Sequence, residues 1–262
     1  MRPRFLVSTV LLAVLVVLAG AGGAGAIVGG RPATEPYPFM ASVRMPHQPW
    51  FQCGGALVHQ QWVLTAAHCV DGWQPGAFEI RAGSADRDAG GEVRAVREVV
   101  LHPEFSPDVG IPNYWNDLAL LRLDRPVALA PVPIADAVAV GARVRLPGWG
   151  RECSEFVCPN PPTVQHLKEL DSQVLADKVC ARQDASFNGA VEVCVDSPGG
   201  ESICQGDSGG PALVRGASGR WELVGVASNW ATADPTLVCG AAAISYADTT
   251  VARSWLGQRL TA

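Results

Sequence analysis

The feature that most restricts the fold of this chain is the length of its hydrophobic runs. Between residues 39 and 123 the runs are short, either apolar or alternating, and are separated by Gly, Pro and Asp. Such runs at close spacing predict an all-β barrel or sandwich and argue against alternating strand–helix units. A proline-rich connection at 126–133 leads to a second, similar set. Two barrels are therefore implied, and with 48% hydrophobic residues the chain can bury the cores that they need. We predict strands at 51–58, 62–65, 78–82, 93–101 and 118–123, and again at 143–146, 167–174, 211–214, 222–227 and 241–246.

The last segment of the chain has helical spacing instead. Asp248 or Thr249 can cap a helix that places Val251, Trp255 and Leu256 on one apolar face. We expect this helix to pack against the body of the protein and not to bind a membrane or a partner.

The N-terminus carries the pattern of a secretion signal. Arg2 and Arg4 precede an apolar run at 5–18 that is too short to span a bilayer comfortably, and small residues follow at 19–26. A membrane anchor is disfavoured because no cluster of charges follows the run. We predict a cleavable signal over residues 1–26 and a secreted, extracellular protein with no membrane contact after cleavage.

Two cleavage sites fit the rule of small residues before the cut bond. Cleavage after Ala-Gly-Ala at 24–26 makes Ile27 the new N-terminus. Cleavage after Ala-Gly-Ala at 19–21 leaves a short propeptide, 22–26, and hence a zymogen.

The cysteine content and the charge narrow the class of protein. There are eight cysteines, an even number, and no Cys-x-x-Cys pair or histidine cluster supports a metal site. Disulfides in an oxidising compartment are the better interpretation. The net charge of -5 comes without a basic run, so nothing indicates nucleic acid or an acidic membrane as a partner, and a protein or peptide substrate fits better.

Three separated peptides carry candidate chemistry. A serine alone is a poor nucleophile and needs a nearby base, which is oriented in turn by a third group. His68, Asp117 and Ser208 occur in that chain order, each in a distinct setting. The peptides are Thr-Ala-Ala-His-Cys at 65–69, Asn-Asp-Leu-Ala-Leu-Leu at 116–121 and Gly-Asp-Ser-Gly-Gly at 206–210.

With these peptides the chain resembles the chymotrypsin-like (trypsin-like) serine proteases, from Ile27 to its C-terminus. The resemblance implies an all-β fold of two six-stranded antiparallel β-barrels with a C-terminal helix, and one protease domain over 27–262. It implies a secreted serine endopeptidase that works through an acyl-enzyme without a cofactor. Protein or peptide substrates, protein protease inhibitors and a monomeric state are expected. The richness in Ala, Gly and Val suggests a bacterial member.

The resemblance also assigns roles to the three peptides. His68 is expected to take the proton of Ser208 during attack on a carbonyl, while Asp117 fixes the imidazole. The backbone N–H groups of Gly206 and Ser208 are expected to form the oxyanion hole.

In the resembling family the new N-terminus is buried within the protein. The ammonium of Ile27 would pair with the acid before the nucleophile, Asp207. Removing one partner of a buried ion pair costs roughly 3 to 5 kcal/mol, so this pair would couple processing to the oxyanion loop.

Disulfide pairing follows from the resemblance as well. The loop closed by Cys53 and Cys69 would anchor the histidine and contribute on the order of 3 kcal/mol in the chain-entropy model. Val144 and Val214 stand where many relatives have a further bridge. The expected pairs are Cys53 with Cys69, Cys180 with Cys194, Cys204 with Cys239, and the remaining Cys153 with Cys158.

Substrate preference depends on the residues expected around the specificity pocket. Ser202 occupies the position of the pocket floor, where an Asp would select Lys or Arg, so a trypsin-like preference is not expected. We predict cleavage after small or medium aliphatic residues. The alternative is a deeper pocket with a chymotrypsin-like preference for large apolar residues. The pocket residues are Ser202, Ile203, Ser228, Trp230, Ala231 and Ile244.

Two further interpretations fit parts of the sequence. The chain could be a non-catalytic protease homologue that acts as a binding protein, but such proteins usually lack one member of the triad. Some relatives bind calcium in a loop that here contains Asp86, Asp88 and Glu92, with Ser84 at the position of the first acidic ligand. We interpret these residues as solvated turn residues and predict no metal site.

Overall fold

The structure is a computed structural model that describes residues 27–106, 114–153, 164–230 and 239–260. Within these ranges the chain is mostly β. Among the described helices, none is long and apolar enough to cross a membrane. The helices are α1 Asp177–Gln183 and α2 Arg253–Leu260, with short 3-10 helices at Ala67–Cys69, Pro75–Ala77 and Pro198–Gly200. The strands are β1 Arg31–Pro32, β2 Met40–Met45, β3 Gln48–His59, β4 Trp62–Thr65, β5 Glu79–Ala82, β6 Glu92–Leu101, β7 Ala119–Leu123, β8 Arg143–Gly148, β9 Lys168–Gln173, β10 Glu192–Val195, β11 Pro211–Arg215, β12 Trp221–Trp230 and β13 Ile244–Asp248.

The first set of strands forms a closed barrel in the order β2-β3-β4-β7-β6-β5, with every neighbouring pair antiparallel. Its side chains alternate as a barrel requires: in β5, Ile80 and Ala82 are buried, while Glu79 and Arg81 lie at an intermediate depth. Closure pairs every strand on both sides and leaves no free edge. The prediction of a six-stranded first barrel is confirmed.

The second set of strands differs from the expected six-stranded barrel. It forms a seven-stranded sheet in the order β1-β9-β8-β11-β12-β13-β10, because β1 adds an edge strand against β9. Among the described residues, β9 and β10 share no ladder. One isolated bridge, Val174 with Val195, joins their ends. Closure of a second barrel therefore stays a prediction.

Each half of the chain contributes a segment that packs against the other half. β1, near the N-terminus, pairs with the second sheet through Arg31 and Glu169. In the opposite direction, the Trp255 ring of α2 lies 4.8 Å from that of His102, which follows β6. These two contacts join the two halves of the chain.

The C-terminal helix starts later than predicted. Asp248 accepts hydrogen bonds from the N–H and the hydroxyl of Thr250, both at 2.7 Å, and so fixes a turn instead of a helix start. Val251 lies before the helix and is 54% exposed, so it does not belong to the buried face. Trp255 and Leu256 are buried as predicted.

Candidate active site

His68 is fixed to the first barrel on both sides of its turn. It lies on the 3-10 helix Ala67–Cys69, which follows β4 after one residue. The neighbouring Cys69 is disulfide-bonded to Cys53 on β3, with 6.4 Å between the Cα atoms. The imidazole itself is only partly exposed.

Asp117 is fully buried just before β7, and both of its carboxylate oxygens accept hydrogen bonds. Oδ1 accepts from the backbone N–H of His68 at 2.8 Å. Oδ2 lies 2.6 Å from Nδ1 of His68 and accepts from the hydroxyl of Ser228 at 2.6 Å. A carboxylate at Nδ1 favours the tautomer that carries its proton there, which leaves Nε2 as an acceptor.

The same contact sets the charge preference of the imidazole. Burial acts to lower the pKa of His68, but the negative charge of Asp117 and its hydrogen bond outweigh burial, so the pKa lies above the ordinary value. The arrangement therefore favours the imidazolium, which is the form that a base reaches after accepting a proton.

Ser208 and His68 line the same cavity, which has a volume of about 240 Å³. The carbonyl of Ser208 accepts the N–H of Gly54 at 2.7 Å and so ties the serine turn to β3. Among the described residues, the Ser208 hydroxyl makes no hydrogen bond to His68. Such contacts are often loose in the absence of substrate and tighten when it binds.

The turn before Ser208 contains two backbone donors that have no acceptor among the described residues. Gly206 has a φ of 97°, a conformation that glycine adopts readily and that other residues rarely do. Within the described parts of the chain, neither the N–H of Gly206 nor that of Ser208 donates to a protein group. These are the two groups that the sequence predicted for the oxyanion hole.

The carboxylate of Asp207 is buried against backbone N–H groups. It accepts from Gly150 at 2.7 Å and from Cys204 at 2.9 Å. A Cβ added to Gly148 or Gly150 would lie 2.0 or 2.2 Å from a carboxylate oxygen, so both positions require glycine. Burial raises the pKa of Asp207 to about 7, against the two hydrogen bonds.

Ile27, the predicted ionic partner of Asp207, lies close to Gly150, which also contacts the Asp207 carboxylate. Its side chain is buried, and its N–H donates to the carbonyl of Gly150 at 3.3 Å. In the uncut chain this nitrogen is an amide without charge, so the ion pair stays a prediction. The φ of Ile27 is 62°, which is a strained value for a β-branched residue.

Only part of the predicted specificity pocket contributes to the cavity. Ile203 and Ser228 line it, together with Ala227 and Asn229 of β12. Ser228 also holds Asp117, a role that the sequence did not indicate because its neighbours pointed to the pocket wall.

The other predicted pocket residues are not among the described residues that line this cavity. Ser202 and Ile244 are fully buried and are not among the described residues that line the cavity. Ser202 pairs with Val28 through two backbone hydrogen bonds, and Ile244 belongs to the core of the second sheet. Their expected roles as floor and wall stay predictions. The backbone of Trp230 ends β12, and Ala231 lies outside the described residues.

Tyr114 is a cavity residue that sequence reasoning missed. Its ring stacks on that of His68, with centroids 5.4 Å apart and an interplanar angle of 19°. The ring of Phe105 lies behind it at 6.0 Å. No motif marks this tyrosine, and only its place two residues before Asn116 could have drawn attention to it.

The three disulfides that the structure describes are the expected ones. Cys180–Cys194 ties α1 to β10, and Cys204–Cys239 fixes the segment before the serine turn. Cys153 is disulfide-bonded, and its predicted partner, Cys158, lies outside the described residues.

The described residues offer no convincing set of metal ligands. One group of potential donors is Cys53, His68 and Cys69, but both sulfurs are in a disulfide and are not thiolates. Asp86 accepts the N–H groups of Asp88 at 2.8 Å and Ala89 at 3.0 Å, as a turn residue does.

A larger cavity, of about 720 Å³, lies on the second sheet. Arg143, Asp171 and Trp221 are among its lining residues, and it contains none of the candidate catalytic groups. This larger cavity is therefore not the candidate active site.

The fold is chymotrypsin-like. Comparison with known proteins gives the same class: the sequence model described as Trypsin matches residues 27–250. Human granzyme M is 33% identical over 196 residues, 70% of this chain and 70% of that protein. Mouse cathepsin G is 31% identical over 200 residues, 72% of this chain and 71% of that protein.

The comparison of structures agrees. The chain is similar to mouse neuropsin, described as a serine protease expressed in the limbic system, with a TM-score of 0.75 and 25% identity over 89% of this chain and 100% of that one. This chain belongs to the trypsin family of serine proteases and is a serine endopeptidase. The alternative of a non-catalytic binding protein is therefore not retained. Granzyme M and cathepsin G are animal proteins, so they do not support the expected bacterial source.

Proposed function

We propose that Ser208 is the nucleophile of a secreted endopeptidase, with His68 as its base and Asp117 as the group that orients the base. The observation that carries the proposal is the buried carboxylate at 2.6 Å from Nδ1 of a histidine that shares a cavity with the serine. Nε2 is then the free acceptor on the ring.

The reaction follows from these positions. The oxygen of Ser208 forms a bond to the carbonyl carbon of the substrate while its proton passes to Nε2 of His68. The negative oxygen that results accepts hydrogen bonds from the N–H groups of Gly206 and Ser208. When the C–N bond breaks, the amine takes the proton from His68. Water then attacks the acyl-enzyme, with His68 accepting its proton and returning it to the serine oxygen.

We propose that secretion itself activates the enzyme, because removal of the signal before Ile27 needs no separate activating protease. The uncut chain buries the Asp207 carboxylate without a cationic partner among the described residues, and a free ammonium at Ile27 would supply one. The left-handed φ of Ile27 exists only while residue 26 is attached, so cleavage also removes its strain, on the order of 1 to 3 kcal/mol. A start at Gly22 would instead indicate a propeptide.

We propose a preference for small or medium aliphatic residues before the cut bond. Ile203 lines the cavity and brings apolar bulk, whereas Ser202 offers no carboxylate to a basic side chain. A chymotrypsin-like preference for large apolar residues is the alternative, which needs depth beyond Ile203. The proposed substrates are proteins or peptides, and protein protease inhibitors are the expected partners. We further propose that the enzyme is an extracellular monomer. Its second barrel would close between β9 and β10.

A fluorophosphonate probe tests the nucleophile directly. Secreted, processed protein should be labelled on Ser208, and Ser208→Ala should abolish both labelling and peptide cleavage. N-terminal sequencing of the same material should begin at Ile27. An unlabelled Ser208 in protein that starts at Ile27 would overturn the proposal, and a cleavage profile with Lys or Arg before the cut would overturn the preference.

A further inference from the structure

The peptide group between Trp149 and Gly150 is held on both sides. Its N–H donates to Oδ1 of Asp207 at 2.7 Å. Its carbonyl accepts from Nε2 of Gln52, on β3 of the first barrel, at 3.1 Å. A donor on the carbonyl polarises the peptide and strengthens the bond that its N–H makes to the carboxylate.

The orientation of the Gln52 amide is itself fixed. Nη1 of Arg87 donates to Oε1 of Gln52, which leaves the amide nitrogen for Trp149. The backbone N–H of Arg87 donates to the carbonyl of Gln165 at 3.0 Å, and its side chain is mostly buried. The guanidinium therefore approaches Gln52 from a loop that is already attached to the second half of the chain.

Gln52 also packs against the oxyanion turn. A Cβ built on Gly206 would lie 3.2 Å from Cα of Gly150 and 3.5 Å from Cδ of Gln52. The carboxamide and Gly150 thus form two walls beside the residue that supplies one of the proposed oxyanion donors.

We propose that Gln52 is a positioning residue for the oxyanion hole and that Arg87 holds it in place. Among the described residues, no hydrogen bond joins the Gln52 side chain to His68, Asp117 or Ser208; it acts through the 149–150 peptide on Asp207 and by contact on Gly206. This inference rests on the proposed function, because it assigns a supporting group to the same hole. The first barrel thereby controls a catalytic element of the second sheet.

The substitutions Gln52→Leu and Gln52→Glu test the inference on the processed, secreted protein. Leu removes both hydrogen bonds, whereas Glu keeps the acceptor for Arg87 but faces the Trp149 carbonyl without a donor. We expect kcat on a peptide amide to fall by about three- to ten-fold, with KM changed by less than about two-fold, because the loss is felt in the transition state. Labelling of Ser208 by a fluorophosphonate should slow in parallel.

Gln165→Leu is the matched control. Gln165 joins the same two halves by donating to Asp86 at 2.9 Å, but it does not contact the 149–150 peptide. Its kcat should equal that of the wild type. Arg87→Met should behave like Gln52→Leu, and Arg87→Lys, which keeps a donor, should recover most of the loss.

Three outcomes decide the matter. If kcat falls no further in the Gln52 variants than in Gln165→Leu, or if only KM changes, Gln52 is an ordinary contact between the two halves and the inference is wrong. If Gln52→Leu fails to fold, the Arg87→Met and Arg87→Lys pair decides by the same kcat criterion. If the wild type itself is not labelled on Ser208, the proposed function fails and the inference with it.

Discussion

At the scale of single residues, the site depends on how Asp117 is satisfied. Its carboxylate has no access to water, so every hydrogen bond to it matters more than one at the surface. Two of its donors belong to His68, and the third is the hydroxyl of Ser228, contributed by β12 of the other sheet. Asp117 is thus bonded to groups from both halves of the chain.

The substitution Ser228→Ala should therefore impair catalysis. It leaves a buried carboxylate oxygen with one donor fewer, and hydrogen bonds to charged groups contribute about 1.5 to 3 kcal/mol, so kcat/KM should fall by roughly ten-fold or more. Ser172→Ala is the control, because that hydroxyl donates to the carbonyl of Asp196 at 2.8 Å, outside the site. Equal activity of the two variants would show that Asp117 does not need Ser228.

Glu192 is a second buried carboxylate, on β10. It accepts from the hydroxyl of Ser245 and from the N–H of Asn188. Burial raises its pKa to about 7 against these hydrogen bonds, and the charges of Asp184 and Asp117 add to the rise. Between its ordinary pKa of 4.5 and about 7, the folded protein holds a proton that the unfolded chain has lost. The contribution of Glu192 to stability therefore falls as the pH rises through that window.

Glu192→Gln should remove this dependence. The amide can still accept from Asn188 and donate to Ser245, but it does not titrate. We expect the free energy of unfolding of the variant to increase relative to that of the wild type as the pH rises from about 4 to 7. In denaturant unfolding at neutral pH the difference should be on the order of 1 kcal/mol or more. Glu98→Gln, at an exposed residue near Arg122, should track the wild type at every pH. Parallel curves for Glu192→Gln and the wild type would contradict the expectation.

At the scale of elements, the disulfides separate stability from function. Cys53–Cys69 and Cys180–Cys194 close loops of similar length, with sequence separations of 16 and 14. The chain-entropy model gives each of them roughly 3 kcal/mol. Only the first adjoins the turn that carries His68.

Replacing either pair of cysteines with alanines should lower the free energy of unfolding by roughly 3 kcal/mol. Activity should distinguish them: well below the unfolding temperature, Cys53→Ala/Cys69→Ala should lose kcat, while Cys180→Ala/Cys194→Ala should retain it. Calorimetry and steady-state kinetics on the two double variants give both quantities. If both lost kcat alike, the first bridge would have no special link to His68.

The elements show where sequence patterns were sufficient and where they were not. Alternation predicted β5 because this strand buries Ile80 and Ala82 on one face, and that pattern is local. β1 has two residues and is too short to show a period, whereas all four residues of β10 are buried, so that strand shows no alternation. α1 has a single buried residue, Cys180, and thus no apolar face to detect.

The candidate site divides in the same way. His68, Asp117 and Ser208 stand in distinctive peptides, so they could be assigned before any coordinates. The pocket assignment stays a prediction, because Ser202 and Ile244 were placed by counting along the chain and not by a motif. Tyr114 and Gln52 come to the site through tertiary contacts that no local pattern records.

At the scale of the whole molecule, processing should change how stability depends on pH. In the uncut chain the Asp207 pKa of about 7 lies above its ordinary value of 3.8, so the contribution of this group falls as the pH rises between the two. A paired ammonium at Ile27 would abolish that penalty. We expect the processed protein to melt above the refolded uncut chain by a margin that grows from about pH 4 to pH 7, measured by calorimetry.

Asp207→Asn provides the control for this comparison. Between about pH 4 and 6 the uncut and processed forms of that variant should differ by a constant margin, since the amide does not titrate and a free α-amino group, with an ordinary pKa of about 7.7 to 8.0, stays protonated there. A constant margin in the unsubstituted protein would mean that Ile27 and Asp207 do not meet.

The backbone of Ile27 also bears on the reverse reaction. Rejoining residue 26 to the freed amine would require the isoleucine to resume its unfavourable torsion of 62° and, under the proposed ion pair with Asp207, to give up its charge inside the protein. Resealing of the chain is therefore opposed by the fold itself, and each molecule that has been cut is committed to the cut state for its lifetime.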